Sequence, residues 1–206
     1  FGQALTGKDI LVGIIDTGID YWHGDLGGGI GKKADGSYYK VRGGFDFADM
    51  NPIPNDGSLS FHGTHVAGIV AGIGEAGIAT GSPVGRGVAP EASLMAYKVF
   101  SSGRRTTGGD AIAMALEQAV IDGCDVVNLS LGKFFGWTED PLSLLCDRAS
   151  EAGVIVVASA GNDGLRNNNI NRFPLASPSS GLNVISVASS DETLKPSFIL
   201  ELSNKE

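Results

Sequence analysis

Cysteine is scarce: Cys124 and Cys146 are the only two in 206 residues. Both lie in apolar surroundings, Gly-Cys-Asp-Val-Val and Leu-Leu-Cys-Asp, which weighs against a redox or metal pair and toward buried thiols acting as small hydrophobes. A disulfide between them stays open at this stage. No stretch of 18 uncharged apolar residues occurs, which excludes a helical membrane span. Basic surplus is also missing: 15 Lys and Arg against 23 Asp and Glu leave a net charge of −8. Arg104-Arg105 and Lys32-Lys33 are the nearest thing to a basic patch, so nucleic acid is not an expected partner. There is no internal repeat, heptad or low-complexity tract. Phe1 is followed by neither a charged n-region nor an apolar h-region, so any targeting segment is expected to have been removed or never included.

What is abundant is glycine, 31 residues without a G-X-Y period, which rules out a collagen-like chain and sends each glycine to its own local motif. With 42% hydrophobic and 18% charged residues the composition is that of a globular chain able to bury a core. Apolar runs and helical patterns alternate, which argues for an α/β fold with a mainly parallel sheet covered on both faces. Predicted strands are 10–15, 93–99, 126–131, 154–158 and 184–188. Predicted helices are 63–73, 110–122 with Asp110 as N-cap and Gly123 ending it, and 141–152 with Pro141 near its first position. Three long polar connections, about 24–61, 74–92 and 161–182, fall near the chemistry-bearing motifs and are expected to surround a cleft.

Parallel sheets bind ligands outside the carboxyl ends of their strands, and three polar signatures occupy such positions. Asp16, directly after an apolar strand and before Thr17-Gly18, can be held rigid and partly desolvated, which suits a carboxylate that orients an imidazole; taken singly it could equally be a turn former. His62-Gly63-Thr64-His65 leads into a small-residue helix. His62 sits at its amino end, where the helix dipole disfavours an imidazolium and keeps the ring available as a base, while His65 is expected to pack inside. Asn162, in Ser159-Ala160-Gly161-Asn162-Asp163-Gly164 after a strand, is a candidate side-chain amide donor to a developing oxyanion, although taken singly it reads better as a turn former. Two weaker patterns are set aside. Gly72-Ile73-Gly74-Glu75-Ala76-Gly77 has dinucleotide-binding glycine spacing but continues a helix. A zinc hydrolase on His62 and His65 lacks the His-Glu-x-x-His arrangement, with only His23 left as another histidine.

Five ordered segments resemble the subtilisin-like serine peptidases, the subtilases: residues 12–20 around Asp16-Thr17-Gly18, 61–68 around His62-Gly63-Thr64-His65, Gly87-Val88-Ala89-Pro90, Asn128-Leu129-Ser130-Leu131-Gly132, and 158–164 around Asn162. The resemblance covers roughly residues 5 to 190. It implies a three-layer α/β/α fold and a serine endopeptidase that works through an acyl-enzyme. Asp16 would be the triad aspartate, His62 the general base and Asn162 the oxyanion-hole amide. Ser130, Leu131 and Gly132, together with Ala158, Ser159, Ala160 and Gly161, would line the primary specificity pocket, the first segment also pairing with extended substrate. Protein or peptide substrates and an extracellular location follow from the same resemblance.

The family's nucleophile lies in a late Gly-Thr-Ser-Met-Ala motif, and no serine after Asn162 has those flanks. The expectation is therefore a partial catalytic domain over 1–190, with the nucleophilic serine beyond the 206 residues, and a flank over 191–206 similar to the entry into an inserted protease-associated domain. Finer resemblance is to fungal minor extracellular proteases of that group. The rival expectation is a pseudoprotease that binds peptides without cleaving them. Lys133 stands where many subtilases have a second glycine, so the pocket rim is expected to be narrowed or positively charged. Asp46, Asp49, Asn51, Asn55 and Asp56 could hold a structural calcium, but a solvated loop is the preferred reading. No other cofactor is implied.

Overall fold

Strands that are apolar on both faces need helices on both sides, and the chain supplies them in two layers. The structure, a computed structural model, describes residues 5–57, 61–75, 85–166, 169–170 and 174–189; the predicted flank 191–206 lies outside the described residues. In chain order the elements are β1 (Leu11–Asp16), β2 (Val41–Asp46), α1 (His62–Ala71), β3 (Ser93–Lys98), α2 (Gly109–Ile121) and β4 (Val126–Leu129). They continue with α3 (Pro141–Glu151), β5 (Ile155–Ser159), the short pair β6 (Leu165–Arg166) and β7 (Asn169–Ile170), and β8 (Ile185–Val187). Six strands form one sheet of order β2-β3-β1-β4-β5-β8, and every neighbouring pair is parallel.

Side-chain alternation divides the core. Val12 and Ile14 of β1, with Leu94 and Ala96 of β3, face α1 through its buried Ala67 and Ala71. Ile15, Tyr97, Val127, Leu129, Val156 and Ala158 face the other way, onto α2 and α3. The result is the expected three-layer α/β/α sandwich. The strand order turns about β1, which lies between β3 and β4, so the crevice favoured by parallel sheets opens at the carboxyl end of β1.

Several expectations need correction. The connection predicted over 24–61 contains a strand, β2, hidden by its sequence Val-Arg-Gly-Gly-Phe-Asp. Glycine is a poor strand former, but Gly44 is forced here, since a Cβ would lie 1.9 Å from the Ala96 carbonyl oxygen. Asp110 is not the cap of α2: that place is taken by Gly108, with Asp110 in the first turn. Helix α1 stops at Ala71, two residues short of the predicted end, with Gly72 as C-cap. Strand β4 ends at Leu129, so Ser130 and Leu131 belong to the segment after it. His65 is exposed and not packed inside.

The acidic loop is not simply solvated either. Asp46 is buried and bound by Lys98 Nζ at 3.3 Å and by the Ala48 and Asp49 N–H groups. Asp56, also buried, accepts from the Thr64 N–H at 3.0 Å and its hydroxyl at 2.8 Å. Among the described residues no group of three or more His, Cys, Asp or Glu side chains gathers as a metal would require, and no helix is long and apolar enough to cross a membrane.

Candidate active site

Asp16 ends β1 with its side chain only 1% exposed, and His62 opens α1 with its side chain 50% exposed. His62 Nδ1 lies 2.7 Å from Asp16 Oδ1 and 2.9 Å from Oδ2. An ionised carboxylate can only accept, so the imidazole hydrogen is assigned to Nδ1 and the lone pair to Nε2. Burial pushes the Asp16 carboxyl above its ordinary value, against the opposing pull of His62 and the Thr17 N–H. That N–H donates to Asp16 Oδ1 at 2.7 Å.

The separation between the two elements is set by backbone. A Cβ on Gly63 would lie 2.2 Å from the Gly18 carbonyl oxygen and 3.0 Å from Asp16 Cβ, so only glycine lets α1 approach β1 this closely. The Thr17 hydroxyl oxygen accepts from the Gly63 N–H at 2.8 Å and closes the same contact. Phe61, the N-cap of α1, has left-handed backbone (φ 47°) and no side-chain cap bond. Asp56 takes over that task from outside the helix through Thr64, whose Oγ1 in turn accepts from the Asp20 N–H at 2.9 Å.

Asp16 and His62 line one cavity of about 780 Å³ together with Ser130, Leu131 and Gly132. Its inner wall is apolar, from Phe100, Ile112, Leu131, Leu142 and Leu145, and Phe134 stands at its edge. The second predicted segment, Ala158 to Gly161, does not line this cavity but lies directly beside the first. Ser159 Oγ donates to the Leu131 carbonyl at 3.3 Å. Gly132 and Gly161 both abut Ala176, where added Cβ atoms would come within 3.0 and 2.9 Å of its methyl group. Asn162 follows at the same strand-end edge, exposed, after Gly161 in left-handed backbone (φ 102°). Strands β1, β4 and β5 are neighbours, so the predicted residues leave the sheet at successive strand ends along one edge.

Lys133 carries no free positive charge at the rim. Its Nζ lies 2.6 Å from Asp140 Oδ2 and 5.5 Å from the centre of the Trp137 ring. Asp140 is buried, caps α3 through the Leu142 N–H at 3.1 Å and accepts from Ser177 Oγ at 2.7 Å. Burial alone would raise its carboxyl, but Lys133, Ser177 and the Leu142 N–H outweigh that and hold it below the ordinary value. Sequence reasoning assigned no role to Asp140 or Thr17, and weighed Asp56 only as a solvated loop residue or a calcium ligand. Asp140 had a signal, an Asp immediately before the Pro that starts a helix; Asp56 had none, because its partner lies eight residues on, inside the helix. Arg104 and Arg105, noted only as a basic pair, also line the cavity.

Comparison with known proteins agrees with this fold. The model of the subtilase family matches residues 7–205. The chain is 40% identical over 189 residues to the minor extracellular protease Vpr of Bacillus subtilis, covering 88% of this chain and 20% of that protein. It is 40% identical over 167 residues to subtilisin E of the same organism, covering 79% of this chain and 36% of that one. Among solved structures, a lanthipeptide protease superposes with a TM-score of 0.62 at 26% identity, over 88% of this chain and 48% of the other. The prenylagaramide maturation protease PagA gives 0.62 at 26%, over 91% and 56%. The chain thus spans a fifth of Vpr, 36% of subtilisin E and about half of these two solved structures. A parallel sheet turning about β1, a buried carboxylate holding an imidazole at its edge, and a family match over nearly the whole chain place it in the subtilase family.

Proposed function

We propose that the protein to which these residues belong is a serine endopeptidase that hydrolyses peptide bonds through an acyl-enzyme. The observation that carries this reading is the bond from His62 Nδ1 to buried Asp16, which leaves Nε2 as a base facing a substrate-sized cavity. In the reaction His62 takes the proton of a serine hydroxyl as the oxygen attacks the scissile carbonyl. It then gives that proton to the leaving amine. Asp16 fixes the tautomer and offsets the imidazolium charge, and the Asn162 amide donates to the oxyanion. Ser130–Gly132 and Ala158–Gly161 hold the substrate, the first by strand-like pairing. Water then attacks the acyl-enzyme with His62 again as base.

The nucleophile in this reading is a serine outside the 206 residues. Among the described residues Ser130 is the only serine lining the cavity that holds His62, and its hydroxyl oxygen accepts from Asn128 Nδ2 at 2.9 Å. Residues 1–190 are then part of a catalytic domain, with 191–206 leading toward an inserted domain. The extracellular setting of a protease such as Vpr suits protein and peptide substrates, and we extend that setting to this protein.

The test is labelling of the full-length protein with a fluorophosphonate, followed by mapping of the modified residue. Labelling of one serine outside these residues, abolished by His62→Ala, is the expected result. Labelling of a serine within residues 1–206 overturns the assignment of the nucleophile. Peptide binding with neither labelling nor hydrolysis identifies the pseudoprotease instead.

A further inference from the structure

A second stretch of the lining of the cavity that holds Ser130–Gly132 is the connection between β3 and α2, which contributes Arg104, Arg105, Thr106 and Thr107. This connection is tethered at several points. Lys98 Nζ, already paired with Asp46, donates to Ser102 Oγ at 3.3 Å. Ser101 Oγ donates to Asp49 Oδ1 at 2.8 Å, the Arg104 N–H to the Ser101 carbonyl at 3.0 Å, and the Thr107 hydroxyl to the Val99 carbonyl. The Val99 N–H donates in turn to the Asp16 carbonyl at 2.9 Å, so the arginine-bearing loop and the His62–Asp16 pair are mounted on one backbone.

Both arginines are exposed. The ion pairs among the described residues are His62–Asp16, Lys98–Asp46 and Lys133–Asp140, and neither arginine belongs to them. The two carboxylates that line the cavity, Asp16 and Asp140, are the ones already committed to His62 and Lys133. Two cations held without a carboxylate partner at an apolar cavity, on a chain of net charge −8, form a local field opposite in sign to the molecule's own. The guanidinium fork matches a carboxylate, and the apolar wall matches a bulky hydrocarbon or aromatic side chain.

We propose that Arg104 and Arg105 make this cavity selective for peptide segments in which an aspartate or glutamate adjoins a large apolar residue. The apolar side chain enters between Ile112, Leu131 and Leu142 while the carboxylate meets the arginines at the mouth. This rests on the peptidase reading above and names the substrate class of that site. A Gln or Asn at the same place would keep shape and hydrogen bonding but lose the charge; a Lys would be repelled.

The experiment uses the full-length protein and a set of blocked peptides with one fixed Phe, in which Glu, Gln or Lys is moved through each position beside it. Two readouts are taken: kcat/KM for hydrolysis, and binding of the same sequences by competition anisotropy. At one position Glu is expected to exceed Gln by about three- to tenfold at low salt, with the ratio falling toward one in 1 M salt, where screening is short-ranged. R104Q/R105Q is expected to bring the ratio to one, and R104E/R105E to turn the preference toward Lys, which loss of structure alone would not do. A Glu/Gln ratio near one at every position, or a ratio unchanged in R104Q/R105Q, overturns the proposal. Hydrolysis without charge preference removes this inference and leaves the peptidase standing. Charge-selective binding without hydrolysis supports the inference and removes the peptidase.

Discussion

Asp16 is kept where its own charge is disfavoured. A carboxyl whose folded pKa lies above its unfolded value holds a proton more tightly when folded. Its increment to stability is therefore greatest below the ordinary value and is lost as pH rises through the raised one. Asp16→Asn removes that penalty. The variant is expected to match or exceed the parent in urea unfolding at pH 7, with the difference shrinking in acid, while under the proposed peptidase function turnover by the full-length protein is expected to fall by about 10⁴, the scale known for this change in Ser-His-Asp triads. A variant less stable than the parent at pH 7 would sink the burial argument. Two glycines of α1 offer a paired test. Gly63→Ala meets the Gly18 carbonyl and should cost about 1–3 kcal/mol or more while displacing Asp16. Gly68→Ala meets nothing within 4 Å and should stabilise by about 0.5–1 kcal/mol through helix propensity. Denaturant midpoints of the two variants should move in opposite directions. Asp16 and His62 were legible because their neighbours in sequence are also their structural context. Thr17 and Asp56 were not, because they act through hydrogen bonds to groups on α1, Thr17 to the Gly63 N–H and Asp56 to Thr64.

Among the elements, α3 depends most on a single side chain. Asp140 caps it, receives Ser177 and anchors Lys133. Asp140→Ala should cost about 2–4 kcal/mol, combining a lost cap with a buried hydroxyl left without its acceptor. The sign of the pH dependence is opposite to that of Asp16. Its folded pKa is depressed, so the stabilisation is present above the ordinary carboxylate value and is lost as pH falls through the folded one. The gap between parent and variant should accordingly close in acid, measured by urea unfolding from pH 7 downward. Strands β1, β3 and β5 were visible as apolar runs bounded by turn residues. Strand β2 was not: an edge strand pressed against β3 at Gly44 has replaced part of its side-chain signal with close backbone contact. The cavity was half visible for a related reason, since Ser130–Gly132 forms a motif whereas the β3–α2 connection contributes by tethering alone.

At the scale of the molecule, both cysteines lie in the core between the sheet and the α2–α3 layer, and neither is bonded. Burial pushes the Cys124 thiol up to about 11 and the Cys146 thiol up to about 12. Reaction with an aromatic disulfide reagent at pH 8 should be negligible in the folded protein and rise in step with unfolding, so labelling rate reports opening of this layer. Rapid labelling under native conditions would contradict the packing described. The alternating sequence pattern was enough to anticipate the layered architecture, because a parallel sheet needs cover on both faces whatever the details of its loops. One dimension of that architecture has a practical side. The gap between α1 and β1 is spanned by Gly63, the Gly18 carbonyl and the short Thr17 hydroxyl, with no long side chain between them. A redesigner who recuts the cavity wall can therefore leave the Asp16–His62 spacing to Gly63 and Thr17, provided the bond from the Val99 N–H to the Asp16 carbonyl, which ties the β3–α2 connection to this pair, is kept.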